Sequence, residues 1–517
     1  MIGSRRAGLL AAVSCLVALA GTARPAAAET LADAIAMAYE TNPTLQAQRA
    51  AQRALDENYV QARSGWRPQI NANAQAGYTE VRTPIPDEVR LDVDGDGVPE
   101  LVDSSFNGRF ERNSGNAALS FSQPIWTGGR VAASVSAAEA DILSGRENLR
   151  RIEQQVLGNV ITAYVDVRRD QEALRIRGEN VQVLQRQLEE SRARFEVGEI
   201  TRTDVAQSEA RLAASQAQFQ LSQAQLAISR ANYAAVVGQN PGELAPEPPL
   251  ANLLPSNPDE VFDVVEQNNP QILAAEYAEQ ASRARVAGAR AERMPNVSVG
   301  ASLGYAGANG VTASIVPFER RDYSRNVTGT ATVSVPIFSG GLISSRIRQS
   351  VERNSVDKIN IEANRRAVLQ QATQSWNSLQ ASRANITSTE EQVRAARIAA
   401  EGTRQEQQVG LRTTLDVLNA EQELRAAELS QINARREEYV AAASVLSAMG
   451  RLEAQYLTPG VKLYNPKAHF RSLRFTWGWV PWEEPISVID SLLTPQPVEK
   501  PAPRPVSTAP QASTSAQ

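Results

Sequence analysis

The stretch Asn296-Val297-Ser298-Val299-Gly300-Ala301-Ser302-Leu303-Gly304-Tyr305 sets Val, Ala, Leu or Tyr at every odd position and a small or polar residue at every even one. A period of two over about ten residues is the mark of a β-strand with one apolar face. With small-polar residues on the other face, it is also how strands of a transmembrane barrel look. A second such segment follows, in which Val327, Gly329, Ala331, Val333 and Val335 alternate with Asn326, Thr328, Thr330, Thr332 and Ser334. Upstream, Ile70, Ala72, Ala74, Ala76 and Tyr78 alternate with Asn71, Asn73, Gln75 and Gly77, and Asn116 to Pro124 keeps Leu119 and Phe121 on one face. Strands are expected at about 66–80, 116–126, 295–306 and 325–338. Trp66, Tyr78, Trp126, Tyr305, Tyr323 and Phe338 fall at their ends, where an interfacial aromatic girdle would sit. A water-soluble sandwich with one wet face is the other reading of this pattern. Four strands are too few to close a barrel, which needs about eight. Open edges in lipid would leave backbone groups unpaired at several kcal/mol each, so membrane strands here require several chains.

The strands belong to two halves that read alike. Asn42-Pro43 recurs as Asn269-Pro270, Arg67-Pro68 is echoed by Met294-Pro295, and Tyr78 returns as Tyr305. Further on, Pro124-Ile125-Trp126-Thr127-Gly128-Gly129 matches Pro336-Ile337-Phe338-Ser339-Gly340-Gly341, Val197-Gly198 matches Val409-Gly410, and Asp204-Val205 matches Asp416-Val417. The offset shrinks between Tyr78 and Pro124, so the first half holds an insertion there. The pattern is an internal duplication of a helix, strand, strand, helix, helix unit; solenoid repeats are far shorter.

Each pair of strands leads into a very long proline-free stretch, Arg130 to Glu196 and Leu342 to Gln408. At 1.5 Å per residue each would run roughly 100 Å as a helix, a length that implies coiled-coil-like assembly. Val160, Val167, Leu174, Val181, Leu188 and Phe195 repeat every seven residues, as do Val205, Leu212, Phe219, Leu226 and Tyr233 on the return helix. Beside the latter runs a row of small residues, Ser208, Ser215, Ser222 and Ser229, which become Ala420, Ala427, Ala434 and Ala441 in the second half. Large beside small suits a curved sheet of closely approaching helices.

Composition narrows the class. Arg5 and Arg6 precede an apolar run from Ala7 to Ala20, and Ala26-Ala27-Ala28 offers a cleavage site, so residues 1–28 read as a secretory signal peptide. The only cysteine, Cys15, lies inside it; a lipoprotein would need Cys15 to be acylated after a very short apolar segment. The mature chain then has no thiol chemistry, and its acidic balance argues against nucleic acid as a partner. The lone His469, with no nucleophile elbow, phosphate loop or metal-spaced cluster, gives no support to an enzyme. The organisation expected is a first repeat over 29–241 (helices 130–197 and 203–238), an equatorial linker 242–257, a second repeat 258–450 (helices 342–409 and 413–450), a C-terminal equatorial or periplasmic segment 451–494, and a disordered Pro-rich tail 495–517. Trp477, Trp479 and Trp482 suggest that the C-terminal segment is packed.

Together these motifs resemble the TolC family of outer-membrane factors, over about Thr30 to Gly450. The resemblance implies a mixed α and β membrane protein with four transmembrane β-strands per chain. A homotrimer would form a 12-stranded β-barrel, continuous with a long α-helical periplasmic barrel and an equatorial belt. It implies passage of secreted protein (type I secretion), small toxic compounds, or both. The partners implied are a periplasmic adaptor (membrane fusion) protein, an inner-membrane ABC or proton-driven pump, and outer-membrane lipid. The adaptor-docking tips would be Val197, Gly198, Glu199, Ile200 and Thr201, with Val409, Gly410, Leu411, Arg412 and Thr413. Arg412, Asp416 and Asn419 would line the periplasmic aperture, with Asn419 standing where the family has a second aspartate and Gln407 where it has a tyrosine. The tip as a whole looks somewhat more like the type I secretion branch. Thr201 to Asp204 and Thr413 to Asp416 also have capping-box spacing, which accounts for Asp416 without any aperture.

Two alternatives and one loop remain. A periplasmic coiled-coil adaptor also has helical hairpins and an export signal, but usually lacks four such strands. A trimeric adhesin gathers its strands at the C-terminus. The insertion in the first half carries Asp92, Asp94, Asp96, Glu100 and Asp103, with Gly97 in sixth place, which resembles a calcium loop with a short Asp in twelfth position. Asp and Gly are also ordinary turn residues.

Overall fold

The computed structural model describes residues 28–82, 88–92, 95–103, 109–310, 323–458 and 460–492. The expected signal segment, apart from its last residue Ala28, and the expected Pro-rich tail lie outside these residues. The chain runs α1 (Leu31–Thr41), α2 (Pro43–Arg63), β1 (Gln69–Arg82), β2 (Glu88–Leu91), β3 (Glu100–Asp103), β4 (Arg109–Trp126), α3 (Arg130–Glu196) and α4 (Arg202–Val237). It continues with α5 (Pro258–Asn268), α6 (Pro270–Ala291), β5 (Asn296–Gly310), β6 (Tyr323–Ser334), α7 (Leu342–Gln408), α8 (Thr414–Ala448), α9 (Ala454–Leu457), α10 (Pro466–Ser472) and α11 (Glu483–Ser491).

The helical stretch that opens each half is broken once, at the Asn-Pro pair. Pro43 and Pro270 lack the N–H that a continuous helix would need, and each sits at the first position of a new helix instead. The asparagine before each does two jobs. Asn42 caps α2 by accepting from Thr44 N (3.0 Å), and its amide donates to Val236 O at the end of α4 (2.9 Å). Asn269 caps α6 by accepting from Gln271 N (2.9 Å) and donates to Ala448 O at the end of α8 (2.9 Å). Thus one residue starts a helix and also closes the far end of the return helix. Around these ties lies the main core, built from α1, the middle of α3 and the ends of α4 and α8. Ile35, Leu157, Tyr164, Tyr233, Leu446, Met449 and Leu452 are fully buried there.

The four long strands form one antiparallel sheet in the order β1-β4-β5-β6. Phe121 stands opposite Ile70 and Ala301, and Leu119 opposite Ala72 and Leu303, so the apolar rows align across the sheet. Neither face is covered: Ile70, Leu119, Val299, Tyr305, Val327 and Val333 are all exposed. A sandwich would bury that row against a second sheet, and no second layer packs on it among the described residues. β4 begins at Arg109, seven residues before the expected 116. The alternation is lost there, but pairing with β1 extends to Arg82 opposite Arg109. β6 stops at Ser334, short of the expected 338, because Pro336 cannot continue a ladder. β1 begins at Gln69 and not at 66, after a single 3-10 turn over Ser64–Trp66. The insertion folds into a two-stranded ribbon of its own, β2 with β3.

The C-terminal segment departs most from expectation. It packs through only part of its length, and its tryptophans stay outside. α10 sets Phe470 against Tyr59 of α2 (4.9 Å between ring centroids), and His469 Nδ1 lies 3.2 Å from the buried Asp56 carboxylate. α11 then reaches the base of the sheet. Its Glu483 is fully buried between Arg63 (2.6 Å) and Arg67 (2.9 Å). Its Asp490, also fully buried, accepts from Thr127 N (2.7 Å), Gly129 N (3.1 Å), Ala132 N (3.3 Å), Thr127 Oγ1 (2.9 Å) and Trp66 Nε1 (3.0 Å). A carboxylate at the N-terminus of α3 satisfies amides that a helix start leaves without partners and complements its dipole. Trp66 is therefore an internal donor and not part of a lipid-facing girdle. Trp477, in contrast, is fully exposed, and Trp479 and Trp482 are also exposed.

Candidate functional site

The two helical hairpins, α3 with α4 and α7 with α8, end in tips of one design. After α3, Gly198 takes φ +79°, its N–H donates to Phe195 O (3.0 Å), and Glu199 N donates to Arg194 O (2.9 Å). After α7, Gly410 takes φ +81°, and the matching bonds are Gly410 N to Gln407 O (3.0 Å) and Leu411 N to Glu406 O (2.9 Å). This is a Schellman ending, which requires a left-handed residue and so favours glycine. The return helices open with capping boxes. Thr201 N donates to Asp204 Oδ2 (2.9 Å) and Thr413 N to Asp416 Oδ2 (3.0 Å), and the two hydroxyls accept from Asp204 N and Asp416 N. A glycine stop followed three residues later by a Thr-x-x-Asp start reverses the chain within a few residues at both tips. Outside it stand Val197, Val409 and Leu411, each more than 70 % exposed, with Phe195 and Leu415 less so. Ile200 is half-buried.

The aperture candidates do not form one cluster within the chain. Asp416 is engaged in its own cap, and the Thr413 amide and hydroxyl, followed by nearby Arg412, hold its carboxyl below the usual aspartate range. Arg412 pairs with Glu406 on the last turn of α7 (2.8 Å). Asn419 accepts from Arg211 Nη2 (3.0 Å), and the same guanidinium donates to Gln422. Arg211 lies on α4, so this contact ties the first hairpin to the second just inside the tips. Nothing in the local sequence marks Arg211; its partners are more than 200 positions away. Glu421 is buried and pairs with Arg404 across the hairpin. Gln407 is buried too, its amide 3.5 Å from Thr414 Oγ1. Gln407 thus turns into its own hairpin.

The small-residue row faces inward. Ser208, Ser215, Ser222 and Ser229 are buried against α3, with Ser208 3.2 Å from Ser191 Oγ and Ser215 accepting from Asn180 Nδ2 (2.9 Å). In the second half Ala427, Ala434 and Ala441 are buried likewise. Leu212 and Phe219, on the other row, are only half-buried.

In the insertion, Asp92 accepts from Gly95 N (2.7 Å) and Gly97 N (3.0 Å), and Asp96 from Val98 N (2.8 Å). Asp94 lies outside the described residues, as does the Asp103 side chain. Among the described residues no group of three acids, histidines or cysteines is placed to hold a metal ion. No described helix is long and apolar enough to cross a membrane.

Residues 34–239 and 261–451 match the profile described as outer membrane efflux protein. The chain is 31% identical over 469 residues to the outer membrane efflux protein BepC of Brucella suis, covering 91% of this chain and 96% of that one. It is 24% identical over 451 residues to the outer membrane protein TolC of Escherichia coli, covering 85% and 86% of the two chains. Among solved structures, the open state of the Neisseria gonorrhoeae MtrE outer-membrane channel superposes with a TM-score of 0.64 at 20% identity, over 82% of this chain and 90% of that one. These likenesses favour an outer-membrane channel over a periplasmic adaptor, and a transport protein over an enzyme. From the shared profile, relatives and fold, the chain belongs to the outer membrane efflux protein family, the TolC-type channels of the outer membrane.

Proposed function

We propose that three copies of this chain close a single twelve-stranded barrel, continuous with a helical tunnel through the periplasm. That tunnel exports cargo handed over by an inner-membrane pump, ABC-type or proton-driven, through a periplasmic adaptor. One observation supports this above the rest. The outer strands β1 and β6 each pair on one side only, and the sheet is bare on both faces. In lipid such edges cost several kcal/mol per unpaired group, and pairing β6 with β1 of a second copy removes them. The junction after β6 agrees: Ile337 and Phe338 are 96% and 90% exposed, while the matching Ile125 and Trp126 are half-buried by their own chain. The internal duplication supplies the register. Phe121 faces Ala301 within the chain, so the matching Val333 should face Ala74 of the next copy.

The exposed Val197, Val409 and Leu411 at the tips are the surface offered to the adaptor, and Asp416 of three copies would form an acidic ring at the aperture. The cargo is secreted protein, small toxic compounds, or both. The mature chain is free of cysteine, so Val333→Cys with Ala74→Cys tests the assembly directly. Oxidation of the membrane-integrated protein should give covalent dimers and trimers on denaturing gels. Monomer only, with Val333→Cys and Ala74→Cys both present and reactive, would refute the register. Comparing a deletion strain with its parent separates the cargoes: loss of a large secreted protein marks protein export, and accumulation of toxic compounds marks efflux.

A further inference from the structure

The end of the chain makes a surface that export does not use. Between α10 and α11, Phe475, Trp477, Trp479 and Trp482 are exposed, as are Val488 and Ile489 on α11 and Leu492 just after it. Large aromatic residues bare in a cluster mark an interaction site. Their height is fixed by contacts. A methyl added at Gly478, between Trp477 and Trp479, would come 3.8 Å from the guanidinium of Arg67, two residues before β1 begins. Trp482 Nε1 donates to Gln123 Oε1 (3.2 Å) on β4.

The same bond fixes the side. Gln123 continues the row Leu119, Phe121 and stands opposite Val299, in the apolar face of the sheet. Trp482 is therefore on the outer, lipid-directed side of the strand base. Two buried carboxylates, Glu483 on Arg63 and Arg67 and Asp490 on the start of α3, hold the segment there from both ends of α11. Phe475 and Trp479 stack edge to face (5.4 Å), and Lys467 and Arg471 are exposed on the preceding helix.

We propose that residues 473–492 form an interfacial anchor, a tryptophan collar seated in the phospholipid headgroup region of the periplasmic leaflet. Tryptophan favours that zone because its ring is apolar and its indole N–H is polar, and basic residues just below it favour anionic headgroups. The occupant follows from continuity: the collar adjoins the strands that enter the membrane. It replaces Trp66, which the same segment has drawn inside. This rests on the barrel reading above, and the test separates the two.

A single nitroxide is attached at Trp477→Cys, a fully exposed position whose substitution removes no packing. A control carries it at Leu119→Cys on the barrel face. Full-length protein is placed in vesicles of phosphatidylethanolamine and phosphatidylglycerol. The ratio of broadening by dissolved oxygen to broadening by an aqueous nickel chelate should lie between that at Leu119→Cys and that of a nitroxide at the exposed tip, Leu411→Cys. A ratio at Trp477→Cys as low as that at Leu411→Cys would overturn the collar and leave the barrel standing. Shielding from both reagents, in vesicles and in detergent alike, would mean that a second copy covers the segment, and also overturns it. Chelate access at Leu119→Cys would refute the barrel reading itself.

Discussion

Replacing Asp490 by alanine should release the C-terminal segment from the strand base. The carboxylate is fully buried and takes bonds from three backbone amides, one hydroxyl and the Trp66 indole. Each buried donor left unpaired costs about 1–3 kcal/mol. Against that stands the relief of desolvating a carboxylate, several kcal/mol. Loss of a favourable charge at the N-terminus of α3 adds about 0.3–2 kcal/mol. The balance is a local destabilisation of about 3–5 kcal/mol, in the range measured when one partner of a buried charged contact is removed. With tenfold per 1.4 kcal/mol, the detached state gains roughly two to three and a half decades in population. Proteolysis of a transiently open segment follows that population when opening is fast. Limited proteinase K digestion should therefore cleave Asp490→Ala within α11, beyond the Glu483 tether, at least a hundredfold faster than the parent, while the helical hairpins persist. Ser339→Ala, at the matching turn of the second half, should change nothing beyond about 0.5 kcal/mol. Equal digestion of parent and Asp490→Ala would refute the claim that this carboxylate holds the segment.

Other expectations follow from the same contacts. Asn42→Ala and Asn269→Ala each lose a helix cap and orphan a carbonyl, so each should cost about 2–4 kcal/mol and lower the thermal midpoint of the helical signal by similar amounts. Gly198→Ala and Gly410→Ala have open space around the added methyl, so the cost is conformational, about 1–2 kcal/mol, and hydrogen exchange should quicken at the tips alone. Asp416 has a folded-state pKa below its unfolded one. Its cap therefore contributes fully above the ordinary aspartate range and is lost only as pH falls through the lower folded value, so the second tip should fray in strong acid, read by exchange there, and Asp416→Asn should remove that dependence. Millimolar calcium should protect the 92–103 loop from protease where it binds that ion; unchanged cleavage would leave Asp92 and Asp96 as turn-capping groups.

How much of this was legible depended on whether the determining contacts were local. The strands could be read because a sheet wet on one face repeats its chemistry every two residues, and Val297 to Tyr305 does so without a break. Their ends could not, since Arg109 to Gly115 has no alternation and is strand only because β1 is there to pair with it. The tips were legible, as Gly198 and Gly410 stop one helix and Thr-x-x-Asp starts the next within a single turn. The Asn-Pro motif was visible as a repeat, but its second task, reaching the end of a return helix nearly 200 residues away, was not. Arg211 with Asn419 and Glu483 with Arg63 belong to the same class. A polar residue whose partner is distant carries no sign of it in its neighbours.

The C-terminal tryptophans misled for a different physical reason. Exposed tryptophan is costly in water, so a cluster of three reads as a core. Beside a membrane the same rings are satisfied outside the protein, and the segment is held by two buried charges, Glu483 and Asp490, with Leu473 and Ile486 as its buried apolar residues. The two halves of the chain make this an internal comparison. Both strand-to-helix turns have the same Gly-Gly, yet only the first is closed by a carboxylate from the chain's own end, while Phe338 at the second is left bare. In the trimer proposed above the second turn meets the next copy, so the segment at the first turn answers either to lipid or to a neighbouring chain. The nitroxide at Trp477→Cys decides between those two, since lipid and protein shield it in distinguishable ways.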